Sequence, residues 1–250
     1  MEVLALPDAQ SVATAVAERV LRERLIHPQK PLGLATGRTM EPVYAQLASQ
    51  LAQRDVEEQQ AIRSGWLSFN LDEYVGLAAS DLRSFAAFMA DRLQFPLGLR
   101  ADQVRLPDGL AADPQAEARR YGAALAAAGG VGLQLLGLGL NGHVGFNEPP
   151  CAALASCRCL ELSPATRAQN AGAFGGDPQA VPPQAITLGL AEILAAERIL
   201  LVVTGASKAS ILRRALLEPP CPEVPASWLQ THQRLEVLAD AAALKTFQLS

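Results

Sequence analysis

The feature that most constrains this chain is a recurring unit: a short apolar run opens into a polar or glycine-bearing turn, and a stretch of helical periodicity follows. Apolar runs of four to six residues suit strands buried on both faces, which crossover helices produce when they cover a parallel sheet. Val3 to Leu6 is the first run, and Asp8 is placed to cap a helix in which Val12, Val16 and Val20 recur every four residues. Pro31 to Thr36 leads into Gly37-Arg38-Thr39, after which Val43, Tyr44, Leu47 and Leu51 mark a second helix. Trp66 to Leu71 ends at a turn formed by Asp72-Glu73-Tyr74, and Ser84 is placed to cap a helix carrying Phe85, Phe88 and Met89. Pro114 to Ala128 is helical in composition, with Gly129-Gly130 as its stop. Leu133 to Leu138 then opens into Gly139-Leu140-Asn141-Gly142-His143, Ile199 to Thr204 opens into Gly205-Ala206-Ser207-Lys208, and Leu235 to Leu238 is a late strand. The expected class is α/β with a mainly parallel central sheet.

At 250 residues, half of them hydrophobic, the chain buries a sizeable core and reads as one globular domain over 1–250. The net charge of -4, with Lys and Arg scattered rather than striped, gives no footprint for nucleic acid. No apolar run approaches the roughly 20 residues of a membrane span, and MEVLALPDAQ lacks a basic region before an apolar core, so no membrane partner and a cytoplasmic location are expected. Cys151, Cys157, Cys159 and Cys221 lack metal-site spacing, and reduced thiols with no metal are the expectation. Glycine and proline crowd Gly172 to Pro183, and the region around 160–183 is read as a mobile lid.

Four turns share the carboxyl ends of the expected strands, where open parallel sheets gather ligands. Thr36-Gly37-Arg38-Thr39 offers hydroxyls and a guanidinium at a helix entrance, which suits a phosphate, although a glycine turn with a capping Thr also begins ordinary helices. Ser207-Lys208 repeats the theme, with a serine cap and a solvated lysine as its plain alternative. Neither turn has the spacing of a P-loop or of a dinucleotide-binding loop. Asp72 and Glu73 stand where a buried strand meets its turn, so one carboxylate can act as a base while the other, more naturally Glu73, caps the next element. Of the three histidines His143 alone lies in a glycine-flanked turn, with Asn147 and Glu148 close behind; His27 and His232 read as surface residues.

Taken together, FNLDEYVGL from Phe69, LGLGLNGHVGFNEP from Leu136 and TGASK from Thr204 closely resemble the glucosamine-6-phosphate deaminase family, also called glucosamine-6-phosphate isomerases, in order and spacing across nearly the whole chain. The resemblance implies a modified Rossmann-like three-layer sandwich and a cofactor-free conversion of glucosamine 6-phosphate and water into fructose 6-phosphate and ammonium. It casts Asp72 as the base that moves a proton between C2 and C1, and His143 as the acid/base of ring opening, oriented by Glu148. Asn141 and Gly142 belong to the same turn; Thr36, Gly37, Arg38, Thr39 and Lys208 fall to the phosphate. The related 6-phosphogluconolactonases share the fold and a similar histidine turn, and another sugar-phosphate isomerase or a non-catalytic sugar-phosphate sensor would use the same scaffold. Phe146-Asn147-Glu148-Pro149 and Asp72-Glu73-Tyr74 favour the deaminase, because a lactonase needs no base at C2.

One position varies within the pattern and several others depart from it. Asn141 stands where some members carry Asp, so it can orient His143 without adding charge. Thr166, Arg167 and Asn170 fit a T-R-x-x-N-x-R-F run, but Gly172 replaces its second arginine, which in the family helps hold phosphate. Arg38 replaces a usual small residue and is expected to supply the missing charge. Arg158 is retained from the basic set that binds an activating amino-sugar phosphate in hexameric relatives, yet Leu160 and Glu161 follow it, so weak or absent activation by N-acetylglucosamine 6-phosphate is expected. Monomer and homo-oligomer are both compatible with the chain.

Overall fold

The computed structural model describes residues 1–247. Its centre is a seven-stranded sheet built from β1 (Glu2–Leu6), β2 (Leu32–Leu34), β3 (Ser68–Asn70), β5 (Val104–Arg105), β6 (Leu133–Gly137), β9 (Arg198–Val203) and β10 (Leu235–Asp240). Every neighbouring pair is parallel, in the order β1-β10-β9-β6-β2-β3-β5. Helices α1 (Ala9–Ile26), α2 (Glu41–Ala52), α3 (Val56–Ser64), α4 (Phe85–Met89), α5 (Phe95–Leu97), α6 (Pro114–Ala127), α7 (Pro164–Asn170), α8 (Leu190–Leu194) and α9 (Ala209–Leu217) complete a three-layer α/β sandwich. Each apolar run expected to be a strand is one. β6 is buried along Leu133 to Leu136, and the valines of α1 are sealed between it and the sheet. Gly33 has a packing reason: the side chain of its register partner Gln134 occupies the space a Cβ would need.

Several expected start signals are present as hydrogen bonds. The Asp8 carboxylate accepts from the Ser11 amide (2.7 Å), and Ser84 Oγ accepts from the Ala87 amide (3.0 Å). Sequence periodicity leaves out α3, which buries only Ile62, and the two-residue edge strand β5.

The larger correction concerns Asp72-Glu73-Tyr74. These residues form β4 (Asp72–Tyr74) of a second, antiparallel sheet with β7 (Arg158–Glu161) and β8 (Gln184–Thr187), in the order β4-β8-β7. Leu71 joins the two sheets, donating its amide to Leu34 O (2.9 Å) and accepting from the Leu188 amide (2.7 Å). A separate apolar cluster of Tyr74, Leu77, Phe146, Leu162, Ala171, Phe174, Val181 and Ala185 fills the space between this sheet and the 160–183 segment. That segment therefore carries α7 and a 3-10 turn over Ala171–Phe174 where glycine and proline suggest open loop. Among the described residues no helix is long and apolar enough to cross a membrane.

Candidate active site

The strand order reverses between β2 and β6. From β2 the chain moves outward through β3 to β5, and from β6 it moves the other way through β9 to β10, which lies beside the first strand, β1. Loops leaving the two strands diverge and open a crevice, the place where open α/β sheets bind ligands. A cavity of about 510 Å³ lies here, with Thr36, Gly37, Arg38, Thr39, Asp72, Gly139, His143 and Lys208 on its wall. All four loops expected to form the site thus reach one cavity. Asn141, Gly142 and Glu148 are not among its lining residues.

The histidine turn is held tightly. The Gly139 amide donates to His143 O (2.9 Å), and the Gly142 amide donates to Gly139 O (3.1 Å). The imidazole lies over Gly139 so closely that a Cβ there would overlap the ring. Gly142 adopts φ +85°, and its carbonyl accepts from the Ala226 amide (2.8 Å), which anchors the turn to the 3-10 helix over Pro225–Thr231. Asn141 Oδ1 accepts from the His143 amide (3.2 Å), so Asn141 orients the backbone of the turn rather than the ring. Burial lowers the His143 pKa, Lys208 lowers it further, and the charge of Glu148 opposes both. Among the described residues no hydrogen bond joins His143 to Glu148: Nδ1 of the ring and Oε1 of the carboxylate are both enclosed without a partner. Their coupling is through charge. Asn147 is fully buried and structural, donating to Val144 O (3.0 Å) and Leu188 O (2.9 Å) while accepting from Arg158 (2.9 Å).

Asp72 is 4% exposed and meets the cavity from β4. Desolvation, then the charge of Glu73, push its pKa up to about 8, against a partial lowering by the Phe146 amide. Gly145, at φ +56°, brings the histidine loop against it: a Cβ there would stand 3.2 Å from Asp72 Oδ2 and 3.3 Å from Thr187 Oγ1. A carboxylate with raised proton affinity and an imidazole with lowered affinity therefore face one cavity, a pairing suited to moving protons at neutral pH.

The other end is cationic. Arg38 and Lys208 form no ion pair among the described residues, and the proximity of Arg38 adds to burial in lowering the Lys208 pKa. Among the α-helices of seven or more described residues, α1, α3, α6 and α7 start with a side-chain cap, whereas α2 and α9 do not. Neither Thr39 nor Ser207 caps the helix that follows it, and a 3-10 turn over Ala206–Lys208 leads directly into α9. Two cations without ion pairs among the described residues give this part of the cavity a positive character.

Sequence reasoning missed a third wall. Leu82, Arg83, Ser84, Phe85 and Phe88 reach the cavity from the start of α4, and Gln169, Asn170, Gly172 and Ala173 reach it from the 160–183 segment. Phe85 packs on Tyr74 (4.7 Å between centroids), Tyr74 on Phe174 (5.5 Å), and the Arg83 guanidinium lies 5.5 Å from the centre of the Phe174 ring. Arg83 is also paired with Asp81 (2.6 Å). Ser84, Phe85 and Phe88 carried a local signal as a helix and its cap, and Asn170 and Gly172 through the T-R-x-x-N-x-R-F run; that all of them reach the same cavity is set by tertiary packing.

Residues 7–238 match the family of glucosamine-6-phosphate isomerases and 6-phosphogluconolactonases. The chain belongs to this family. A glucosamine-6-phosphate deaminase of Streptomyces avermitilis is 41% identical over 251 residues, covering 100% of this chain and 94% of its own. One from Rhodopirellula baltica is 39% identical, covering 97% of this chain and 94% of its own. The solved structure of a monomeric glucosamine-6-phosphate deaminase superposes with a TM-score of 0.92 at 33% identity, over 98% of this chain and 99% of that one. The 6-phosphogluconolactonase of Leishmania guyanensis shares the fold with a TM-score of 0.76 at 20% identity, over 99% of both chains. The mainly parallel sheet seen here is thus the fold of that solved deaminase.

Proposed function

We propose that this chain is a glucosamine-6-phosphate deaminase, converting glucosamine 6-phosphate and water into fructose 6-phosphate and ammonium, and that residues 1–250 act as one domain for that reaction. One observation carries the reading: a buried carboxylate of raised proton affinity, Asp72, shares a cavity wall with His143. Hydrolysis of a lactone has no use for a base at carbon, whereas isomerisation requires one. The names of the full-length relatives point the same way.

In this mechanism Arg38, Lys208 and the uncapped start of α2 hold the phosphate, which fixes the sugar along the cavity. His143, neutral at working pH, shuttles the proton between the ring oxygen and O1 as the pyranose opens. Asp72 removes the C2 proton of the open aldose and returns it to C1, and the electron pair of the broken C2–H bond passes through the enolamine to the new C1–H bond. Water adds to the resulting C2 imine, and collapse of the adduct expels ammonia, which leaves as ammonium. The 160–183 segment serves as a lid: Gln169, Asn170 and Ala173 already face the cavity, and Phe174 packs beside it on Tyr74.

The test offers purified protein glucosamine 6-phosphate, galactosamine 6-phosphate and 6-phosphogluconolactone in parallel, following ammonium, ketose and acid. Stoichiometric ammonium and fructose 6-phosphate are expected from the first. Acid release from the lactone with no ammonium from either amine would overturn the reading in favour of a lactonase.

A further inference from the structure

Glu73 is a buried carboxylate for which proton transfer and phosphate binding leave no task. It follows Asp72 in β4, and strand alternation turns the two side chains to opposite faces. It is 1% exposed, and the backbone of the loop after β5 closes over it: a Cβ on Gly109 would stand 3.5 Å from Glu73 Cγ. Its oxygens accept three backbone amides, from Tyr74 (2.8 Å), Phe85 (3.0 Å) and Ala86 (2.7 Å). Phe85 and Ala86 open α4, and Ser84 caps the next amide, so Glu73 and Ser84 together satisfy the start of that helix. These three N–H donors favour the anion, while burial, the larger influence, raises the Glu73 pKa.

The charged and titratable groups around this pair are few. Asp81, on the loop before α4, acts on Glu73 and is itself paired with Arg83; no cation forms an ion pair with Glu73 among the described residues. The titratable groups coupled to Asp72 by charge are Glu73 and Tyr74 on its own strand and Tyr121 on α6, with His143 on the same cavity wall. Burial keeps both tyrosines neutral and disfavours the imidazolium. Arg38 and Lys208 line the cavity but are not among the groups that act on Asp72. Glu73 is the carboxylate next to Asp72 along β4.

We propose that Glu73 is a positioning residue with two linked effects: it clamps the first turn of α4 in place as a wall of the cavity, and it holds a second buried carboxylate beside Asp72 that tunes the base. The second effect rests on the deaminase reading, in which Asp72 takes the C2 proton. Strand and helix are joined through one carboxylate, so the wall that touches the sugar and the strength of the base share a single support.

Two variants separate charge from shape. Glu73→Gln keeps the size and loses the charge, while Glu73→Asp keeps the charge and shortens the reach. With Gln the acid limb of the kcat/KM profile should move to lower pH by roughly half a unit to one unit, because a negative neighbour that disfavours ionisation has been removed, and the plateau kcat should fall several-fold as the base weakens. With Asp the limb should stay in place while KM rises from the loosened wall. A folded Glu73→Gln protein whose limb does not move, or an Asp variant that moves it equally, overturns the proposal. A second measurement needs no turnover: the Asp72 carboxyl is titrated by carbon NMR in aspartate-labelled protein, its signal assigned with Asp72→Asn. Its midpoint should drop in Glu73→Gln. If the midpoint drops and no substrate turns over, the coupling stands and the deaminase reading falls; an unmoved midpoint removes the coupling whatever the activity.

Discussion

At the scale of single residues, the site depends on where two side chains keep their protons. Burial and Glu73 push Asp72 up to about 8, while burial and Lys208 push His143 down. Free enzyme should therefore show a kcat/KM that climbs with pH through about 8 as Asp72 ionises, with His143 neutral throughout that window. Asp72→Asn should remove this limb and lower kcat by about 10²–10⁴-fold, the usual worth of a positioned acid–base group. A limb that persists in the Asn variant would assign it to another group. Gly139 is as decisive as the residues it serves. Since a Cβ there would overlap the imidazole, Gly139→Ala should expel His143 from its position and depress kcat by at least tenfold in a folded protein, as judged by circular dichroism. In the sequence, Asp72 was legible as a carboxylate at the end of an apolar run and His143 as an imidazole in a glycine turn. The role of Asn141 was not: its side chain faces the backbone of its own turn, a choice set by hydrogen-bond geometry rather than residue type.

At the scale of elements, legibility follows burial. The long strands of the main sheet are enclosed on both faces, so they stand out as continuous apolar runs. The small sheet is written in Asp-Glu-Tyr, Arg-Cys-Leu-Glu and Gln-Ala-Ile-Thr, too short and too polar to show a period, and its cover comes from residues about a hundred positions away. Helix starts divide the same way. Capped starts announce themselves by Asp or Ser, whereas the uncapped starts of α2 and α9 are meaningful only once Arg38 and Lys208 are seen to face one cavity. If those starts and cations hold a phosphate, Arg38→Ala and Lys208→Ala should each raise KM for glucosamine 6-phosphate roughly tenfold or more, as loss of a charge-assisted hydrogen bond of about 1.5–3 kcal/mol predicts, with smaller effects on kcat. Inorganic phosphate should inhibit the wild type competitively and both variants weakly; an unchanged KM for Arg38→Ala would return the search for a replacement of the Gly172 arginine to Arg83. Arg158 makes the opposite point. Its guanidinium is engaged by Asn147 (2.9 Å), Ser156 O (3.2 Å) and Cys151 Sγ (3.5 Å), which leaves it turned inward. N-acetylglucosamine 6-phosphate should accordingly fail to activate at subsaturating substrate, and a rate increase of severalfold would show that Arg158 can be released.

At the scale of the whole molecule, a buried base has a thermodynamic consequence that can be measured without substrate. An aspartate has a pKa near 3.9 in the unfolded chain, and folding raises that of Asp72 to about 8. Between those values the folded state holds a proton that the unfolded state has released, so stability falls as pH rises across that interval. The contribution is fully present below the unfolded value and is lost as pH climbs through the folded one. Asn at position 72 has the same shape and does not titrate, so the Asp72→Asn protein escapes this loss. Its Tm should match that of the wild type near pH 4 and exceed it by a margin that widens towards pH 8 and then levels off. For a chain of this length each kcal/mol corresponds to roughly 2–4 °C, so a gap of several degrees is expected at the alkaline end. Glu73, whose pKa is also raised by burial, titrates in both proteins and largely cancels from the difference. A gap that is constant with pH would mean that Asp72 is not desolvated in the folded protein, and would take away the basis for assigning it the C2 proton. A gap that opens with pH would show that the fold bears a stability cost at the one carboxylate its proposed chemistry requires.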